Sequence, residues 1–120
     1  MAAPAAAELA AVEARLRAIL APYEDRLETA SIYNIPTLRR RGAKAHDWFA
    51  FVKPEPRHVS FYLLPMLSYP ELMADVSPEL ARRRAGKSVL RFTAVDEAHL
   101  AELEKLVARA YERYMAGARG

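Results

Sequence analysis

The chain contains no cysteine. Disulfides, thiolate metal ligands and a cysteine nucleophile are excluded together, and the redox compartment is left open. Long apolar runs are absent as well: none approaches the ~20 residues that span a bilayer. The opening MAAPAAAELAAVEARLRAIL is alanine-rich but lacks a basic start, and Glu8 and Glu13 interrupt its apolar part, so it does not read as a secretory signal. The expectation is a cytoplasmic protein with no membrane partner. Histidine is scarce, and His46 and His58 fall far apart on the expected hairpin, so no metal site is assigned. Ser31, Ser60, Ser68, Ser77 and Ser88 lack the glycine-elbow context of a nucleophile. No catalytic residue and no cofactor are expected.

What is present suits one globular domain over 1–120, with its core at about 8–116: 52% of residues are apolar and 28% charged. The net charge is only +3, but it is unevenly spread. Residues 39–58 carry six Lys/Arg against two acids, residues 82–91 carry five against none, and the remainder nets −6. Such asymmetry marks an anion-facing side, or else a solvated, arginine-rich surface.

Periodicity gives the elements. Leu9, Val12, Leu16, Ile19 and Leu20 share one face of a helix over residues 8–20. Pro22 breaks it, YEDRLETA adds a further turn or two with Leu27 inward, and Pro36 makes NIPTL extended. Three strands follow: Thr37 to Arg41, Asp47 to Lys53 and His58 to Pro65, the last two joined by the proline-bearing loop KPEPR. Pairing Val52 with His58 puts Phe49, Phe51, Val59, Phe61 and Leu63 on a core face. The other face then carries Trp48 directly opposite Tyr62, with Ala50, Val52, His58 and Ser60. Ser77-Pro78-Glu79 starts a short helix, Ser88 to Thr93 forms a last strand, and a helix begins at Asp96 with Leu100, Leu103, Val107, Ala110 or Tyr111, and Tyr114 as its buried stripe. The fold class is α+β, a two-layer sandwich of order α-β-β-β-α-β-α, with a four-stranded, mainly antiparallel sheet and a short helical insertion before the last strand.

Gly86-Lys87-Ser88 has the tail of a phosphate loop, but the first glycine position is Ala81, and a helix precedes the motif while a strand follows it. That order is the reverse of a working phosphate loop. Gly86 reads instead as the left-handed residue ending a helix over 78–85. Arg82, Arg83 and Arg84 then complement the helix dipole and remain able to collect an anion as point charges. The ligand candidate is the mixed sheet face: Trp48 and Tyr62 as a flat aromatic surface, Ser60 and His58 beside them, and Arg39, Arg41, Lys87 and Arg91 as a basic rim. Such a surface suits single-stranded nucleic acid or a nucleotide. The alternative is that a helix or a second subunit covers the aromatics.

The segments SIYNIPTLRRRG, WFAFVKPEPRHVSFYLLPM and SPELARRRAGKSVLRF, with the closing helix, resemble the YdhG-like family of small bacterial domains of unknown function over roughly residues 15–116. Tyr33 and Pro36 match its aromatic-x-x-Pro segment, and Gly86-Lys87-Ser88 its helix-to-strand step. The resemblance implies a distantly frataxin-like helix–sheet–helix fold, and some members are described as iron chaperones. Frataxins take iron on an acidic ridge, where this chain has Arg39-Arg40-Arg41 and a helix of mixed sign. The expectation is a non-enzymatic binding module for a small anionic ligand or a protein partner, a second copy of itself included. Iron delivery and a single-stranded nucleic-acid accessory role are the alternatives.

Overall fold

The computed structural model describes residues 5–32, 34–42 and 47–119, apart from the side chains of 32, 118 and 119. Helix α1 is Ala6–Leu20, followed by a 3-10 turn at Ala21–Tyr23. Strands β1 (Glu28–Ile32), β2 (Ile35–Arg39), β3 (Trp48–Pro54) and β4 (Val59–Leu63) come next. Short helix α2 (Pro65–Ser68), a 3-10 turn at Pro70–Met73 and short helix α3 (Pro78–Ala81) lead to β5 (Val89–Phe92) and the long α4 (Glu97–Arg119). The five strands form one antiparallel meander in chain order, so the class is α+β as expected, with one strand more than the sequence reading allows. No helix among the described residues is long and apolar enough to cross a membrane.

The extra strand replaces the helical continuation expected over YEDRLETA. The Leu27 N–H donates to Tyr23 O at 3.0 Å, which closes a turn and sends the chain into β1. Ile32 then pairs with Ile35 across a two-residue connection, and Asn34 stands at φ 65°. Asparagine tolerates that left-handed conformation because its short polar side chain bonds locally. The expected first strand at 37–41 shifts accordingly to 35–39. Leu27 is buried, as expected.

The β3–β4 hairpin turns more tightly than the sequence suggests. The Glu55 N–H donates to His58 O at 2.8 Å, leaving only Pro56 and Arg57 as the tip. Pro54 therefore stays in the strand, opposite Val59. It falls in the non-hydrogen-bonded pair next to Glu55–His58, where its missing donor costs nothing to this ladder. Pairing becomes Phe51 with Tyr62, Val52 with Phe61 and Ala50 with Leu63. Against the expected register this is a three-residue shift, and an odd shift exchanges faces. Ala50 and Val52, not Phe51, join Val59, Phe61 and Leu63 in the core. Phe51 lies on the opposite face, stacked on Tyr62 with ring centroids 4.5 Å apart. Trp48 does not oppose Tyr62; its partner is Arg39 on β2. Phe49 keeps its expected core position because a β-bulge, where Arg39 pairs with Trp48 but Leu38 with Ala50, turns Phe49 and Ala50 to the same side.

Helices α1 and α4 cover the core face. Val12, Leu16, Ile19 and Leu20 of α1 meet Leu100, Leu103, Leu106, Val107, Ala110 and Tyr114 of α4 over the sheet. Phe49 sits among Tyr23, Tyr111 and Tyr114. The short helices α2 and α3 pack on α4, on the same side. The other face of the sheet carries Thr37, Arg39, Trp48, Phe51, Lys53, Ser60, Tyr62, Val89 and Arg91 by strand alternation. None of these belongs to the contiguous core.

The termini of the later helices behave as their sequences require. Ser77 Oγ accepts from the Leu80 N–H at 3.2 Å, capping α3. Ser77 in turn donates to Glu102 of α4, from its N–H at 2.6 Å and its hydroxyl at 2.5 Å. Those hydrogen bonds, the hydroxyl's first, hold the Glu102 carboxyl below its ordinary range against a small opposing cost of burial. Asp96 Oδ1 accepts from the His99 N–H at 3.1 Å at the start of α4. Arg15 of α1 forks onto Glu97 at 2.5 and 2.6 Å, tying the two long helices at the surface.

Two measurements check this arrangement. A double-mutant cycle on Phe51 and Tyr62 yields a coupling of about 0.5–1.5 kcal/mol, whereas the same cycle on Trp48 and Tyr62 yields none. Glu102→Gln lowers stability at neutral pH by about 1 kcal/mol. Because the folded carboxyl titrates lower than the unfolded one, its contribution is full above roughly pH 4.3 and is lost as pH falls through the folded value. Parent and variant melting curves should therefore converge in acid.

Candidate functional site

The strongest concentration of unmatched charge lies at the β5 side of the sheet. Arg57 and His58 from the β3–β4 hairpin, Arg82, Arg83 and Arg84 from the segment after α3, and Arg91 and Thr93 from β5 and its end line a shallow, solvent-open groove of about 470 Å³. Arg83, Arg84 and Arg91 are positioned by backbone pairing. The Arg91 N–H donates to Arg83 O at 2.8 Å and the Ala85 N–H to Val89 O at 3.0 Å, so residues 83–85 lie along the outer edge of β5. Arg84 bridges to Leu90, and its guanidinium donates to Gly86 O and Lys87 O, both at 3.0 Å. That strap ends α3 at Ala81, four residues short of the expected helix end. Gly86 is accordingly not a left-handed helix stop; among the described glycines only Gly42 has a positive φ.

What sets the groove apart is that its unpaired cations gather in one place; Arg26, Arg41, Lys87, Lys105 and Arg109, likewise without a carboxylate partner among the described residues, lie outside its lining. Arg15, Arg17, Arg39, Arg40, Lys53 and Arg113 each face a carboxylate. Among the described residues, none pairs with Arg57, Arg82, Arg83 or Arg91. His58 Nε2, in the groove wall, is buried without a hydrogen-bond partner among the described residues. Guanidinium groups present planar forks of donors matched to phosphate and carboxylate oxygens. Gathered without an acid, they repel one another, and an anion relieves that repulsion.

The expected site residues divide between two ends of the sheet. His58 and Arg91 belong to the groove, and Ser60, buried, faces Arg91 across the β4–β5 ladder. Tyr62 is next on the same strand face, its ring taken by Phe51. Lys87 is exposed in the turn before β5 and does not line the groove. Arg39 and Trp48 lie on β2 and β3, with the Arg39 guanidinium 5.3 Å from the Trp48 ring centroid and 3.6 Å from Glu28. β2 is three strand spacings from β5, about 14 Å away. Arg41 is beyond the end of β2 and donates to Asp25 O at 3.2 Å. The continuous aromatic platform with a basic rim is thus not formed: one ring faces an arginine, the other two face each other. His46, a metal candidate, Lys44 and Tyr33 lie outside the described residues. Among the described residues no three carboxylate or imidazole groups gather as a metal site would require.

Arg57 is not among the residues the sequence singles out, and Arg82, Arg83 and Arg84 look there chiefly like helix-dipole partners. Their signal is the pair of acid-poor basic runs, which only the hairpin register brings to one corner. Two other cavities carry less chemistry. One of about 70 Å³ between α1 and the sheet is lined mainly by Leu20, Pro36, Leu38, Ala50 and Val52. One of about 210 Å³ near the end of α4 holds Arg40, Asp47 and Tyr114, which satisfy each other: Arg40 pairs with Asp47, and the Tyr114 hydroxyl accepts from the Arg40 N–H and donates to Asp47 O.

No family model, curated protein or solved structure matches this chain.

The chain has one tryptophan, so its emission reports one place. With Trp48 distant from the groove and under Arg39, phosphate titration should leave the emission where an equal ionic strength of chloride leaves it. Arg39→Ala, which uncovers the ring, should shift the emission to the red.

Proposed function

We propose that this protein is a non-enzymatic binding module for a phosphate-bearing anion, held in the arginine groove between the hairpin tip, β5 and the 82–85 strap. The observation that carries this reading is the convergence of Arg57, Arg82, Arg83 and Arg91 from three chain segments with no paired acid among the described residues. Clustered cations of one sign destabilise the free protein slightly and raise the local concentration of anions. Arginine rather than lysine supplies nearly all of that charge, which favours oriented, forked hydrogen bonding over a diffuse field. We also propose kinship with the YdhG-like domains, on the strength of the motifs SIYNIPTL and RRRAGKSVLRF.

Iron delivery and docking of a second copy have less support. The groove offers donors only, apart from His58 and Thr93. On the sheet face away from the helices Arg39 and Lys53 are already paired with Glu28 and Glu55, so that face offers a second copy little unmatched charge beyond Arg91.

Calorimetric titration with pyrophosphate tests the proposal. The parent should bind, with affinity falling as salt rises. Replacing two exposed arginines, Arg57→Ala with Arg91→Ala, should weaken binding by roughly tenfold, ~1.4 kcal/mol. Arg109→Ala, exposed on α4, should leave it unchanged. Equal affinity in parent and double variant would overturn the proposal.

A further inference from the structure

We infer that the groove recognises a linear chain of three or more phosphates, as in inorganic polyphosphate or the triphosphate tail of a nucleotide, through the phosphates alone; this rests on the anion-binding reading above. Five arginines line the groove and no acid does. Arg84 has two of its guanidinium nitrogens committed to Gly86 O and Lys87 O, so four guanidiniums remain for a ligand. One phosphate group carries about −1.5 to −2 at neutral pH, which leaves at least two of those four uncompensated. A chain with several charged phosphates matches them.

Three of the cations stand on adjacent lines of backbone: Arg57 on the hairpin tip extending β4, Arg91 on β5 and Arg83 on the strap paired to its outer edge, with Arg82 just before the strap at the end of α3. Adjacent strands are about 4.8 Å apart, so the arginines straddle roughly 10 Å before side-chain reach is added. A single tetrahedral anion contacts the guanidiniums on one side of that span. An extended chain crosses it and meets each line in turn.

A nucleotide-binding surface stacks the base on an open aromatic face. Here Phe51 and Tyr62 stack on each other at an interplanar angle of 10°, and Trp48 lies under Arg39 on the far strands. The groove lining itself contains no Phe, Tyr or Trp. Affinity therefore follows phosphate number and is indifferent to base and sugar.

The test compares orthophosphate, tripolyphosphate, ATP and a single-stranded oligonucleotide by calorimetry at one fixed ionic strength, on the full chain and on Arg57→Ala, Arg82→Ala and Arg91→Ala, all at exposed positions. Tripolyphosphate should bind at least about tenfold more tightly than orthophosphate, ATP should match tripolyphosphate within about threefold, and each substitution should weaken both alike. Orthophosphate binding as tightly as tripolyphosphate would overturn the chain inference while leaving the anion site standing. ATP or the oligonucleotide exceeding tripolyphosphate by tenfold would overturn it by showing that a base contributes. If none of the anions binds, or if the arginine substitutions change nothing, the chain inference and the anion site fall together.

Discussion

The hydrogen bond from the Glu55 N–H to His58 O, 2.8 Å long, sets more of this molecule than any other single contact. It reduces the hairpin tip to Pro56 and Arg57 and so fixes the register of β3 on β4. That register sends Ala50 and Val52 into the core beside Phe61 and Leu63 and leaves Phe51 to stack on Tyr62 outside it. It also fixes where the basic residues go. With Val59 opposite Phe92, His58 and Arg57 come level with Thr93 and the outer end of β5, which brings them to Arg91 and the strap. Core and groove thus follow from one turn, because strand alternation makes any odd slip exchange both faces at once.

The strap is the second constraint. A helix continuing through Ala85 would point its side chains around a cylinder; residues 83–85 instead run beside β5, held through Arg83 O, the Ala85 N–H and the Arg84 guanidinium. This pairing covers the open edge of β5, a place where sheets otherwise risk joining other chains. It also gives the arginines a stiff backbone. A preorganised cation costs less ordering on binding than one on a free loop. The same segment therefore closes a structural weakness and presents the charge.

Much of the fold was legible in the sequence. The apolar stripes of α1 and α4 reappear as the buried residues Val12, Leu16, Ile19, Leu100, Leu103, Val107 and Tyr114, and Ser77-Pro78 caps its helix. What was not legible depended on competition between local signals and pairing. Residues 23–30 look helical by continuity with α1, yet from Glu28 the chain is a strand because Asn34 can take a left-handed turn back onto β2. Two prolines in KPEPR argue for a wide loop, yet Pro54 is accommodated in a pair that needs no donor. Of the site, the basic runs could be seen but not their meeting, since Arg57 and Arg82 are joined only through β4 and β5. The expected aromatic platform is not formed because the tight hairpin sets Phe51, not Trp48, opposite Tyr62.

The most direct measurement is an amide NMR titration of the full chain with tripolyphosphate. The account predicts that the perturbed resonances cluster at 57–58, 82–85 and 91–93, with Leu38, Arg39 and Trp48 on the far strands unmoved. Perturbations centred on Trp48 and Arg39, or spread evenly over every basic residue of the surface, would contradict it.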